Sequence, residues 1–103
     1  AIIPTSQVEV LVGGELKKGR SFSNGSVESV FAAIDAAVGI NGSLADYQVR
    51  AISSGKDSLA EVRVAVEVNG RPFNGQAVSL DVMEASAKAY VRAVNNAAAA
   101  GEV

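Results

Sequence analysis

Asp81 and Glu84 stand three residues apart in the stretch SLDVME, and they are the chain's best candidates for acid–base chemistry. A carboxylate pair that cleaves or transfers a group must converge on a cleft from two sides of a bond. Nothing in this spacing brings the two together in that way. It fits a helix start better: Asp81 accepts from backbone N–H groups, and Glu84 reaches back toward the cap. Asp81 keeps a second chemistry, because a carboxylate at the mouth of a helix can hold an ammonium group. Farther on, Glu84, Lys88 and Arg92 fall at i, i+4 and i+8, a solvated stripe with favourable charge order.

Other chemistries find less support. The chain has no cysteine, so disulfides, thiol nucleophiles and thiolate metal sites are excluded, and a reducing compartment fits. With no histidine, the commonest general base and zinc ligand are missing too. SSGKDS superficially matches a phosphate loop, but Arg50 stands where its first glycine belongs and Asp57 where Ser or Thr must follow the lysine. GGELKKG lacks the glycine spacing of a dinucleotide site. Asn24-Gly25-Ser26 and Asn41-Gly42-Ser43 match a glycosylation sequon, and both fall at expected turns. Lys17, Lys18 and Arg20 read as a protected strand edge. A net charge of −2 offers no electrostatic case for nucleic acid or an anionic membrane. No apolar run reaches the roughly 18–20 residues of a membrane span, and no signal-peptide pattern is visible. The start at Ala1, in a strand-like segment, suits a fragment of a longer protein.

At 103 residues, the chain can bury roughly 60–70% of its unfolded surface. Five aromatics (Phe22, Phe31, Phe73, Tyr47 and Tyr90) and much alanine make a thin core, which favours help from a partner subunit.

The elements that must position these residues come in two copies. In EVRVAVEVNGRPF, Val62, Val64, Val66 and Val68 alternate with Glu61, Arg63, Ala65 and Glu67, the period of a half-buried strand. Asn69-Gly70 supplies the turn, and RPFNGQAVS returns, with Gly75 marking a bulge or a close backbone approach. A helix follows, with Ala85, Ala89, Ala93 and Ala97 on one side; the alanine run near Ala97–Ala100 is expected to fray. Upstream, QVEVLV, Gly13-Gly14 and ELKKGRSFS repeat the hairpin. A helix then carries Val27, Val30, Phe31, Ile34, Ala37 and Val38 on one stripe, with Gly39 as its stop. The copies align 56 residues apart from Gly14/Gly70 through Val38/Val94. The leading valines suggest an offset of 54 and a second hairpin two residues longer. Before the second copy, SLADYQVRAISS adds a strand with Tyr47, Val49 and Ala51 facing one way, and GKDS turns into the next. The expectation is an α+β fold of two pseudo-symmetric βββα units with the sheet packed by helices, in one domain over residues 1–103 with repeats at 5–40 and 44–98. The first unit lacks most of its leading strand, for which Ala1-Ile2-Ile3 is a stub.

LADYQVRAISSGKDSLAEVRVAVEVNGRPFNGQAVSLDVMEASAKAYVRAVN, with its Leu-x-Asp-Tyr strand, Gly turn and Asp-x-x-x-Ala-Ser-x-x-Ala-Tyr helix, resembles the C-terminal regulatory domain of 2-isopropylmalate synthase, found also in citramalate synthase. PTSQVEV is similar to the start of the family's first repeat, so the resemblance covers nearly the whole chain. There are departures. Where the family's first helix usually begins Gly-Asp-Gly-Pro-Val-Asp-Ala, this chain has Ser23-Asn24-Gly25-Ser26-Val27-Glu28-Ser29, and Ala77 replaces a common glycine.

The resemblance implies a cytoplasmic homodimer that binds leucine as end-product effector, or isoleucine in the citramalate enzymes. It also implies a catalytic barrel upstream, where a divalent metal and acetyl-CoA serve the condensation with 2-oxoisovalerate. No cofactor, metal site or catalytic residue is expected in this domain. The expected effector site uses backbone N–H groups near Asn24, Gly25 and Ser26, and near Ser79 and Asp81, for the ligand carboxylate. Asp81 or strand carbonyls take the ammonium. Val27, Val30 and Ile34 receive the branched tail, with Tyr47 or Phe31 closing the wall. Two rival readings remain at this point: a dimerisation domain without effector binding, and a small enzyme working with carboxylates alone.

Overall fold

The computed structural model describes residues 6–12, 14–21, 27–54 and 57–103. Its elements are β1 (Ser6–Val12), β2 (Glu15–Ser21), α1 (Val27–Val38), β3 (Ser43–Ser54), β4 (Asp57–Val68), β5 (Arg71–Ser79) and α2 (Val82–Ala99). Contacts divide the chain into two compact units, Ala1–Asn41 and Gly42–Val103. The first is a β1–β2 hairpin backed by α1; the second is an antiparallel β3–β4–β5 sheet backed by α2. The fold is α+β, with ββα followed by βββα, as the periodicities imply. The stub at Ala1–Ile3, the first-helix entry at Ser23–Ser26 and the Gly55–Lys56 turn lie outside the described residues.

In the second unit, Val62, Val64, Val66 and Val68 form the row beneath α2, and none is more than 3% exposed. Each such burial is worth about 1.5–3 kcal/mol. Asn69 and Gly70 both have positive φ, 54° and 77°, which a two-residue primed turn requires and which Asn-Gly tolerates best. From α2, Ala85, Ala89, Tyr90, Ala93, Val94 and Ala97 face the sheet and are buried.

The alanine ridge exists because Gly75 lets the helix come close. A Cβ on Gly75 would collide with the carbonyl oxygen of Ala89 and stand 2.6 Å from the amide nitrogen of Ala93. Gly19 repeats this arrangement against Ala33 and Ala37, at 2.6 Å from the Ala37 nitrogen. All three partners are thus shifted by the same 56 residues. Of the two expectations for Gly75, close approach holds. The β4–β5 register is uninterrupted, and the sheet's irregularity falls instead in β3, between Leu44 and Asp46.

Register also corrects the hairpin reading. Val12 pairs with Glu15 and Val68 with Arg71, so both turns hold two residues. Val8 lies across from Gly19 and Val64 across from Gly75. The offset is therefore 56 in the leading strands as well. The value of 54 arose because β4 carries one more valine upstream, Val62, and a pattern of identical residues has no unique register.

α1 stops where Gly39 and Ile40 both donate to the Asp35 carbonyl, at 2.8 and 3.0 Å. α2 runs further, through its alanines to Ala99, where its end is tied down. Gly101, at φ 81°, closes a Schellman motif in which Glu102 N–H donates to Ala97 O and Gly101 N–H to Ala98 O. Glu102 then latches onto the β4–β5 turn. Asn69 Nδ2 donates to its Oε2 at 3.0 Å, and Arg71 Nη1 to its Oε1 at 3.1 Å.

The Asn69 amide, and after it Arg71, hold the Glu102 carboxyl below the ordinary 4.5. A carboxylate lowered by folding adds stability at neutral pH that disappears as pH falls below about 4.5 and through the lowered value. Wild type should therefore protect the α2 end better than Glu102→Gln in hydrogen exchange near pH 7. The difference should shrink as pH falls below 4.5 and vanish once the carboxyl is protonated. A difference that persisted at acid pH would mean the latch does not act through its charge.

Candidate functional site

Asp81 is the N-cap of α2, in extended backbone at φ −108° and ψ 121°. Its Oδ1 accepts from Met83 N–H at 2.8 Å. Glu84 does not complete a capping box directly. Asp81 N–H donates to Ser79 Oγ at 3.2 Å, and that hydroxyl donates to Glu84 Oε2 at 3.0 Å. The serine is thus a relay between the cap's amide and the acid. Lys88 Nζ sits 2.8 Å from Glu84 Oε1, and its hydrogen bond, followed by that of Ser79, holds the Glu84 carboxyl below its usual range.

Both carboxylates therefore start the helix, each facing a backbone or lysine partner rather than the other. Asp81→Ala should cost about 1 kcal/mol of stability. Asp81→Asn, which keeps the acceptor, should cost a few tenths, and chemical denaturation of both variants tests this. An equal loss in both would show that charge, not capping, matters.

The expected stripe breaks at Arg92. Its Nη1 turns to the sheet edge and donates to Gln76 O at 2.6 Å, and Asn96 Nδ2 does the same for Asn74 O at 2.7 Å. α2 thereby occupies the outward carbonyls of β5 with its own side chains, which blunts that edge against pairing.

Tyr47 joins the same end of the second unit. Ser86 Oγ donates to Val82 O at 2.7 Å, which commits its single proton. The 2.7 Å contact between Tyr47 and Ser86 hydroxyls must then have Tyr47 as donor. This ties β3 to the first turns of α2. The helix covers β4 and β5 but leaves apolar surface beside them. Val49, across from the buried Val62, is 47% exposed, and Leu80, Val82 and Met83 are also exposed.

The remaining candidates lie on α1. Ile34 is 1% exposed and belongs to the first unit's core with Phe31, Ala33 and Ala37, whereas Val27 and Val30 are half-buried. Asn24, Gly25 and Ser26 lie outside the described residues. Within the second unit, the structure brings Ser79 and Asp81 into one cap and ties Tyr47 to the turn that follows it. The amides of Asp81 and Met83 are already partnered there.

Reading the sequence as alternation passed over one group. Glu61 lies on the sheet face opposite α2, yet its side chain is only 8% exposed. Arg50 Nη2 at 3.1 Å and Arg63 Nε at 3.2 Å both reach its Oε1, and Gln76 Nε2 donates to Oε2 at 3.1 Å. The register would have shown it: Arg50 and Val78 flank Glu61 across the strands, and Arg63 follows two residues on. Among the described residues, no group of three or more acidic or other ligating side chains could hold a metal ion. No helix among the described residues is long and apolar enough to cross a membrane.

A helix-backed repeat whose Asp81, Glu84 and Glu61 serve a cap and ion pairs has the make-up of a binding or assembly domain. Comparison with known proteins gives that class its family. The model of the LeuA allosteric (dimerisation) domain matches residues 1–98, and the chain belongs to this family. Among its relatives, a 2-isopropylmalate synthase of Sediminispirochaeta smaragdinae is 44% identical over 92% of the chain and 19% of its own length. That of Pyrococcus furiosus is 48% identical over 71% of the chain and 15% of its length. That of Clostridium kluyveri is 39% identical over 91% and 18%. The chain thus spans less than a fifth of each of these relatives.

Proposed function

We propose that this chain is the regulatory and dimerisation domain of a 2-isopropylmalate synthase, taking leucine as the end-product effector that restrains leucine biosynthesis. The match of the family model across residues 1–98, with relatives that are 2-isopropylmalate synthases, carries this reading. In it the parent enzyme is a cytoplasmic acyltransferase, whose acetyl-CoA, 2-oxoisovalerate and divalent metal meet in a separate catalytic barrel. This domain acts as one regulatory unit without a cofactor of its own. Effector contact falls to Asn24, Gly25, Ser26, Val27, Val30, Tyr47, Ser79 and Asp81, while Ile34, at 1% exposure, supports α1 from within the core.

The exposed Leu80, Val82 and Met83 support a homodimer, since they are apolar and stand together at the α2 start. Leucine then acts by favouring one arrangement of the subunits, a coupling of about 1–3 kcal/mol. A second reading is dimerisation without effector binding. It draws on the cap, where Ser79 and Asp81 are already engaged with α2.

Thermal melts at fixed protein concentration, with leucine, isoleucine, valine or no ligand, separate these readings. Leucine at about a hundred times its Kd adds about 2.7 kcal/mol, a shift of about ten degrees or more. An isoleucine-selective shift would move the parent to citramalate synthase. No shift with any of the three at millimolar ligand would leave dimerisation alone.

A further inference from the structure

We propose that the open face of the β3–β4–β5 sheet, opposite α2, is a second ligand site that binds an acidic α-amino acid. An open depression of about 670 Å³ runs from this face over the β5 edge to Arg92, Asn95 and Asn96 of α2. Its centre is the short side chain of Ala65, flanked across the strands by Asp46 and Asn74. The next row, Gln48, Arg63 and Gln76, forms one wall, and Arg92 contributes a second guanidinium from α2.

The arginines are held in place before any ligand arrives. The buried Glu61 carboxylate fixes Arg63 through Nε, and its other oxygen fixes the Gln76 amide. Arg92 is anchored to the Gln76 main-chain oxygen. A guanidinium held by one N–H keeps the rest of its fork for a carboxylate. Asp46 accepts from Gln48 Nε2 at 3.0 Å through Oδ2, which leaves Oδ1 to take an ammonium.

The lining thus offers two cationic forks and one carboxylate, complementary to two carboxylates and one ammonium. A simple phosphate would meet Asp46 as a like charge. A branched-chain amino acid would find only Ala65 and the buried Val64 as apolar lining. The site therefore stands apart from the leucine reading, and neither depends on the other.

The test is titration of the 103-residue chain with glutamate, glutarate and leucine, followed by backbone amide signals of Asp46, Gln48, Arg63, Ala65, Asn74 and Gln76. Glutamate should saturate these signals, and leucine should leave those of Arg63, Ala65, Asn74 and Gln76 unmoved. Arg63→Gln should weaken glutamate and glutarate alike, by about ten- to a hundred-fold. Asp46→Asn should weaken glutamate about ten-fold and leave glutarate, which has no ammonium group, unaffected or tighter. Both side chains are exposed, so dispersed spectra for both variants are expected and checked first. The site is refuted if glutamate does not saturate by tens of millimolar, if Arg63→Gln changes nothing, or if Asp46→Asn weakens both ligands equally.

Discussion

Gly75→Ala should destabilise the second unit by about 3 kcal/mol, at the upper end of what overpacking usually costs. The added methyl has no cavity to enter. It meets the Ala89 carbonyl oxygen and lies 2.6 Å from the Ala93 nitrogen, both main-chain atoms of a hydrogen-bonded helix. No rotamer change can relieve that contact, so α2 must lift away from β5. Lifting it loosens a whole ridge, because Ala85, Ala89, Ala93 and Ala97 are all at 0% exposure. Gly14→Ala is the control. Nothing lies within 4 Å of a Cβ there, and only its φ of 84° opposes the side chain, at about 1–2 kcal/mol. Urea denaturation of both variants decides the matter. Equal losses would mean that conformational freedom, not close approach, explains Gly75. Gly19→Ala should reproduce the Gly75 effect in the first unit, since Ala33 and Ala37 stand where Ala89 and Ala93 do.

Small residues at this contact explain both what could be read from the sequence and what could not. β4 was legible because alternating valines have only one way to bury a row, and Asn69-Gly70 has few alternatives to a turn. The α2 face was legible in its alanine ridge, but the α1 face only in part. On α1, Ser29 and Ala33 are fully buried, but neither is hydrophobic enough to declare it. They lie inside because the backbone comes close there, and closeness is a property of two elements together. The same holds for Ser86, which is buried with its hydroxyl committed to Val82 and Tyr47.

The end of α2 was misread for a different reason. Alanines beside Gly101 look like a fraying terminus locally, and what stops them is the contact of Glu102 with Asn69, 33 residues away in sequence. Glu61 escaped notice because alternation assigns it to the outward face correctly but does not say what covers it. At the candidate effector site, the sequence named the cap and the tyrosine. It could not show that Ser79 stands between Asp81 and Glu84 as a hydrogen-bond relay.

Tyr90→Ala should cost about 3–5 kcal/mol, enough to consume much of the 5–15 kcal/mol that holds a typical domain together. Among the described residues, Tyr90 is the largest fully buried side chain, at 1% exposure. It projects from α2 between Ala89 and Ala93, whose close approach to Gly75 leaves the helix no room to settle into the void. The cavity therefore stays open, the condition under which truncations are most damaging.

The repeat supplies the informative comparison. Ile34 holds the corresponding place in the first unit and is equally buried at 1%. Tyr90→Ile should thus keep a branched apolar side chain in a position this architecture already fills with one. It should recover more than half of the loss seen with alanine. Calorimetric melts of the three proteins give the answer directly. If isoleucine proved no better than alanine, the two helices would not be packing by the same rule. The 56-residue correspondence would then hold at the glycine contact alone, and the core of each unit would have to be explained separately.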